Sequence, residues 1–113
     1  MKKRITVIGL GYVGLPTLLI LSEQKKFITY GYDIDQNKIK LLKEGSSNLN
    51  EKGVDTLLKK NFRNKNLIIS NKINESEVFI ICVPSNTNKG LRRNFLPLFN
   101  SFDKIIKVLK KKD

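Results

Sequence analysis

Chemistry in this chain begins at a run of glycines. Gly9, Gly11 and Gly14 stand in Gly9-Leu10-Gly11-Tyr12-Val13-Gly14, a G-x-G-x-x-G spacing. Glycine at the first position permits a tight turn out of a strand. At the second it lets a phosphate approach the backbone, and at the third it lets a helix pack close to the sheet. A helix starting at that point offers N–H groups and a partial positive charge to a pyrophosphate. The spacing alone is weak, because glycines gather in many turns; the context decides. Asp33 follows Gly14 by 19 positions, where a carboxylate that binds an adenosine ribose is expected after about 20. Its charge opposes a 2′-phosphate, so the pattern favours NAD over NADP. The competing readings are glycines serving only turn and packing, and a surface carboxylate at a strand end. Asp35 reads as a helix cap. Lys38, one turn further on, either leans over the adenosine or is solvated.

These residues need a strand before the turn, a helix after it and a second strand ending at Asp33. The sequence supplies all three. Residues 4–9 are a short β-branched run that reads as a buried strand. Residues 15–21 are apolar and turn polar from Ser22, with Pro16 in the first helical turn where a missing N–H is tolerated. Residues 28–33 read as the second strand. Ile39, Leu41 and Leu42 give the next helix an apolar face, and Gly45 ends it. Val54, Leu57, Leu58 and Phe62 are spaced for one side of another helix. Residues 67–70 form a third strand. Residues 78–83 form a fourth, apolar at every position and therefore expected to be buried on both faces of a sheet, with Pro84 ending it. Phe102, Ile105, Ile106 and Leu109 mark a last amphipathic helix, and Lys110, Lys111 and Lys112 suit its carboxyl end. Strands alternating with helices of this length predict an α/β fold, a Rossmann-like parallel sheet with flanking helices and right-handed crossovers. The 113 residues make one domain, spanning 1–113. Its last helix should feed another strand, so the domain is expected to be incomplete.

Composition narrows the function. Lys and Arg number 22 against 10 Asp and Glu, a formal net charge of +12. Only Arg4, Arg63, Arg92 and Arg93 are arginines, and the lysines are spread along the whole chain. With no grouping of aromatics for base stacking, a nucleic-acid partner is not expected. The positive field would favour anionic ligands such as dinucleotides and sugar nucleotides. No apolar run approaches the length of a membrane span. One cysteine, Cys82, precludes an internal disulfide, which agrees with a cytoplasmic protein. Cys82 sits inside an apolar strand and reads as an inert small hydrophobe rather than a nucleophile. There is no histidine, so neither a His-based triad nor a His-rich metal site is available. No metal site is expected, and no catalytic residue.

Taken together, Gly9 to Pro16, the stretch Gly31-Tyr32-Asp33-Ile34-Asp35 with Lys38, the segment Asn50-Glu51-Lys52-Gly53-Val54 and the strand running into Val83-Pro84 resemble the UDP-glucose/GDP-mannose dehydrogenase family. Four motifs in the right order are far more specific than one. The resemblance implies an NAD-binding amino-terminal half of an enzyme that oxidises the 6-hydroxyl of a UDP- or GDP-sugar to a uronate for polysaccharide biosynthesis. It proceeds in two NAD-dependent steps through a cysteine thioester. It further implies that the turn from Gly9 through Leu10, Tyr12 and Val13 to Gly14 holds the pyrophosphate. Asp33 and Lys38 then hold the ribose, and Val83, Pro84 and Ser85 line the nicotinamide side. Homo-oligomers are expected of full-length members only. The catalytic cysteine, lysine and aspartate of the family match nothing in this chain, which alone is expected to be inactive. The family's Val-Pro-Thr-Pro turn is Val83-Pro84-Ser85-Asn86 here, which loosens it, and residues 89–95 depart from the usual short connection. Acetamido sugars are mildly favoured. Two other readings remain open: another dehydrogenase with the same turn, and a stand-alone dinucleotide-binding module.

Overall fold

A computed structural model describes residues 2–47, 49, 51, 53–83 and 95–109. Eight elements follow in order: β1 (Lys3–Ile8), α1 (Gly14–Glu23), β2 (Phe27–Tyr32), α2 (Gln36–Lys43), α3 (Val54–Lys60), β3 (Leu67–Ser70), β4 (Val78–Ile81) and α4 (Leu96–Leu109). The strands form one sheet in the order β3-β2-β1-β4, and every pair is parallel. Register is set by Val7 lying opposite Gly31 of β2 and Ile80 of β4.

Alternation along the strands divides the core between two faces. Val7 joins Leu10, Leu15, Leu18, Leu19, Ile39, Leu42, Val54 and Leu58 in the main cluster, beneath α1, α2 and α3. Ile8, the next residue, points the other way and packs with Tyr32 and with Ile105 of α4. The result is helices on both sides of a parallel sheet, as the alternation of elements predicts.

Local chemistry fixes the ends of α2. Asp35 accepts hydrogen bonds from the N–H groups of Asn37 at 3.0 Å and Lys38 at 3.2 Å, so it is the cap its position implied. At the other end Gly45 has φ +90°. Its N–H donates to Leu42 and that of Ser46 to Leu41, the paired bonds of a glycine-terminated helix. Three polar side chains join α1 to the end of α3. The Asn61 amide donates to Glu23 and to the Leu57 carbonyl, and its oxygen accepts from the Ser22 hydroxyl.

Three expectations about burial need correction. Residues 78–83 are not buried on both faces: β4 is half-buried, and Val78 is 40% exposed. The reason is position, since β4 is the edge strand of the described sheet. Of the four apolar residues expected to seat the last helix, only Ile105 is buried; Phe102, Ile106 and Leu109 remain about half exposed. A helix at the sheet edge covers it along one narrow line. Phe62 falls beyond the end of α3 and is exposed, and Leu41 lies on the outer side of α2. Pro84, Lys110, Lys111 and Lys112 lie outside the described residues.

Candidate dinucleotide site

The glycine turn lies between the carboxyl end of β1 and the start of α1. The three glycines differ in what a side chain would meet. Gly9 has φ +94°, and a Cβ there would stand 2.7 Å from the Cys82 carbonyl oxygen. Gly14 has ordinary backbone angles, but a Cβ on it would lie 1.6 Å from the carbonyl oxygen of Gly9. Around Gly11 nothing comes within 4 Å. No protein contact therefore demands glycine at that position; it leaves a space in front of the helix that a side chain would fill.

That space faces an uncapped helix end. Val13 is the amino-terminal cap of α1 and its side chain makes no capping hydrogen bond, in contrast to Asp35 at the start of α2. Among the described residues no hydrogen bond is made by the N–H groups of Tyr12 and Val13, whose side chains are 63% and 67% exposed. First-turn donors left free beside open space are what an anion at a helix start requires. The residues present thus fit the pyrophosphate of a dinucleotide.

Asp33 stands just after β2 and is only 8% exposed, so it is not a surface carboxylate. Its Oδ2 accepts from the Leu10 N–H at 2.9 Å and from Lys38 Nζ at 3.2 Å, and its Oδ1 accepts from the Asp35 N–H at 2.9 Å. With Gly9 N–H donating to the Tyr32 carbonyl at 2.8 Å, these bonds hold the turn against the end of β2. A carboxylate offers about four lone-pair directions, so Oδ1 retains room for a ribose hydroxyl. Lys38 is neither solvated nor free but ion-paired with Asp33 across a half-buried contact. Leu10 has its side chain in the core at 1% exposure, and its N–H is taken by Asp33. Its part in the site is to fix the turn.

Val83 follows β4 and, with Ile8, Gly9, Tyr32, Asp33, Ile34, Lys38 and residues of α4, lines a cavity of about 380 Å³ beyond the strand ends. That volume lies within the usual range of ligand pockets, about 300–1,000 Å³. Its place, outside the carboxyl ends of β1, β2 and β4, is where open α/β sheets bind ligands. Pro84 and Ser85 lie outside the described residues. Cys82 is half-buried beside this site, and burial pushes its thiol above the ordinary cysteine value. A nucleophilic cysteine needs the opposite shift. That α4 brings Pro97, Asn100, Ser101 and Lys104 to the cavity is not legible locally, because no short-range spacing ties them to the turn. No group of three or more metal-ligating side chains exists among the described residues, nor any helix long and apolar enough to cross a membrane.

The parallel sheet, the glycine turn on an uncapped helix and the carboxylate closing the second strand define a dinucleotide-binding domain of the dehydrogenase kind. Residues 3–113 match the NAD binding domain of the UDP-glucose/GDP-mannose dehydrogenase family, and the chain belongs to that family. Among curated relatives, a UDP-N-acetyl-D-mannosamine dehydrogenase of Methanocaldococcus jannaschii is 46% identical over 83 residues, covering 74% of this chain and 19% of the relative. One from Campylobacter jejuni is 34% identical over 109 residues, covering 96% and 26%. Among solved structures, a ternary complex of GDP-mannose dehydrogenase from Pseudomonas aeruginosa superposes with a TM-score of 0.89 at 26% identity, covering 96% of this chain and 26% of that one. A UDP-D-ManNAc dehydrogenase from Pyrococcus horikoshii does so with 0.86 at 30% identity, covering 93% and 25%. The chain thus spans about a fifth to a quarter of the length of these relatives.

Proposed function

We propose that this chain binds NAD through the Gly9–Gly14 turn and Asp33, as the cofactor-binding portion of an enzyme that oxidises the 6-hydroxyl of a UDP- or GDP-sugar to a uronate. The observation that carries the reading is the uncapped amino end of α1 facing open space at Gly11, with Asp33 buried 23 residues beyond Leu10 in contact with the same turn. In this reading the free N–H groups of Tyr12 and Val13 take the pyrophosphate. Asp33 Oδ1 accepts a ribose hydroxyl, Lys38 closes the ribose from outside, and Val83 with Pro84 and Ser85 borders the nicotinamide. Bound NAD would accept the hydride. The protein's own residues position it, and none of them is assigned to the chemical step. The relatives that are UDP-N-acetyl-D-mannosamine dehydrogenases support an acetamido sugar nucleotide as the substrate of the whole enzyme.

The test is titration of the purified chain with NAD and NADP by calorimetry. NAD is expected to bind more tightly, because a 2′-phosphate would meet the Asp33 carboxylate. Tighter binding of NADP overturns the assignment of Asp33 to the ribose. Absence of NAD binding overturns the reading of the turn.

A further inference from the structure

The cavity beside the turn continues past Asp33 to a face of α4. Pro97, Asn100, Ser101 and Lys104 line it there, at a spacing that puts them on one side of a helix. Two of these side chains are held in place. Lys104 Nζ donates to the Tyr32 hydroxyl at 2.7 Å and lies 5.3 Å from the centroid of the Tyr32 ring. Tyr32 is 5% exposed and fixed in the core. The Ser101 hydroxyl donates to the Pro97 carbonyl at 2.9 Å, and Ser101 is likewise 5% exposed.

This leaves a definite pattern of hydrogen-bonding capacity. An ammonium group has three donors and no acceptor, so Lys104 keeps donors to offer after binding Tyr32. A hydroxyl has one donor and two acceptor lone pairs. Ser101 has given its proton to Pro97 and faces the cavity as an acceptor. Donor and acceptor therefore stand three residues apart on neighbouring turns of α4. Adenine presents the complement, an exocyclic amino donor beside a ring-nitrogen acceptor, whereas a purine with a 6-carbonyl presents an acceptor in place of the amino group. With Asp33 holding the ribose at one end of the cavity, the base lies between exposed Ile34 and Pro97, against this pair.

We propose that Lys104 and Ser101 are base-reading residues of the cofactor site: Lys104, anchored on Tyr32, donates to a ring nitrogen of adenine, and Ser101 accepts from its amino group. The assignment rests on the ribose role of Asp33 and extends the site to an element remote in sequence from the glycine turn. It makes α4 a determinant of which dinucleotide is accepted.

Titrations of the purified chain with NAD and with nicotinamide hypoxanthine dinucleotide, whose base carries a 6-carbonyl, test it. Wild type is expected to bind NAD about tenfold more tightly than the analogue, as for one hydrogen bond lost and an acceptor left facing an acceptor. Ser101→Ala should narrow that preference to about twofold. Lys104→Met, which keeps the apolar stem, should weaken NAD about tenfold as well as lower the melting temperature through the unpaired Tyr32 hydroxyl, and Lys104→Arg should restore most of the lost affinity. Equal binding of the two dinucleotides by wild type, or wild-type NAD affinity in Lys104→Met, overturns the proposal while leaving the turn and Asp33 intact. If wild type binds no NAD, the reading of the turn fails and this assignment falls with it.

Discussion

Two glycine-to-alanine changes three positions apart in the turn should have opposite effects, and together they test the account of it. At Gly14 the added methyl would lie 1.6 Å from the Gly9 carbonyl oxygen, 2.8 Å from its carbon and 3.2 Å from the Cys82 Cβ. The first two are backbone atoms, and Gly9 is itself held by its N–H bond to Tyr32, so no side-chain rotation relieves the clash. Overpacking a tight site costs about 1–3 kcal/mol, and a backbone obstruction belongs at the upper end. Against a total stability on the order of 5–15 kcal/mol, a loss of about 3 kcal/mol lowers the melting temperature by roughly 12 °C, at about 4 °C per kcal/mol for a domain of this size. At Gly11 the methyl enters open space and φ is not left-handed. Gly11→Ala should therefore fold with unchanged or slightly raised stability, by up to about 0.5 kcal/mol from the stiffer unfolded chain. It should nevertheless lose NAD affinity by at least about tenfold, because the methyl occupies the place of the pyrophosphate. Thermal melts followed by circular dichroism, with calorimetric titration of NAD, read both quantities. A Gly14→Ala chain that melts within about 2 °C of wild type would refute the packing argument. A Gly11→Ala chain that binds NAD normally would refute the phosphate site.

Other perturbations follow from the same structure. Asp33→Ala removes the acceptor of two backbone N–H groups and the partner of Lys38; it should cost about 1–3 kcal/mol in stability and weaken NAD as well, whereas a melt and an affinity both equal to wild type would make the carboxylate incidental. At the amino end of the sheet, Glu77 is held down to about 2 by hydrogen bonds from the Arg4 side chain and backbone. A carboxyl lowered on folding contributes stability that is present above its ordinary value of 4.5 and is lost as pH falls through about 2. Melting temperature should decline over that window, and Glu77→Gln should flatten the decline; an identical acid profile in the variant would place the ion pair outside the folding balance.

What the sequence disclosed and what it withheld divide along distance in the chain. The strand before Gly9, the helix after Gly14, the capping role of Asp35 and the ending of α2 at Gly45 are set by residues within a few positions of one another, and all stand as the spacing predicts. Asp33 was legible as a carboxylate at the right interval, but not as the acceptor that clamps Leu10, because that bond depends on β1 and β2 lying side by side. The ion pair of Lys38 with Asp33 was hidden for a different cause: a lysine one turn into a helix has several rotamers, and only the burial of its partner selects one. The apolar run from Val78 misled, since such a run marks a strand but cannot tell a central strand from an edge strand. The partners of Tyr32 were beyond any local reading; its bond to Lys104 joins residues 72 apart.

The strand order β3-β2-β1-β4 puts the first strand of the sequence inside the sheet. One neighbour, β2, follows after a single helix, while Ile5 meets Val78 and Ile8 meets Ile81 only across some seventy residues. Closing so long a loop carries a larger entropic cost before any contact rewards it. The β1-α1-β2 portion can therefore assemble early, around its own local pairings, with β4 docking as the slow step. Gly9, however, packs against the Cys82 carbonyl at the end of β4, and Val83 walls the cavity. On that order the pocket would be completed by the last strand to arrive, so that the appearance of ligand-binding capacity during refolding would time the end of the reaction rather than its beginning.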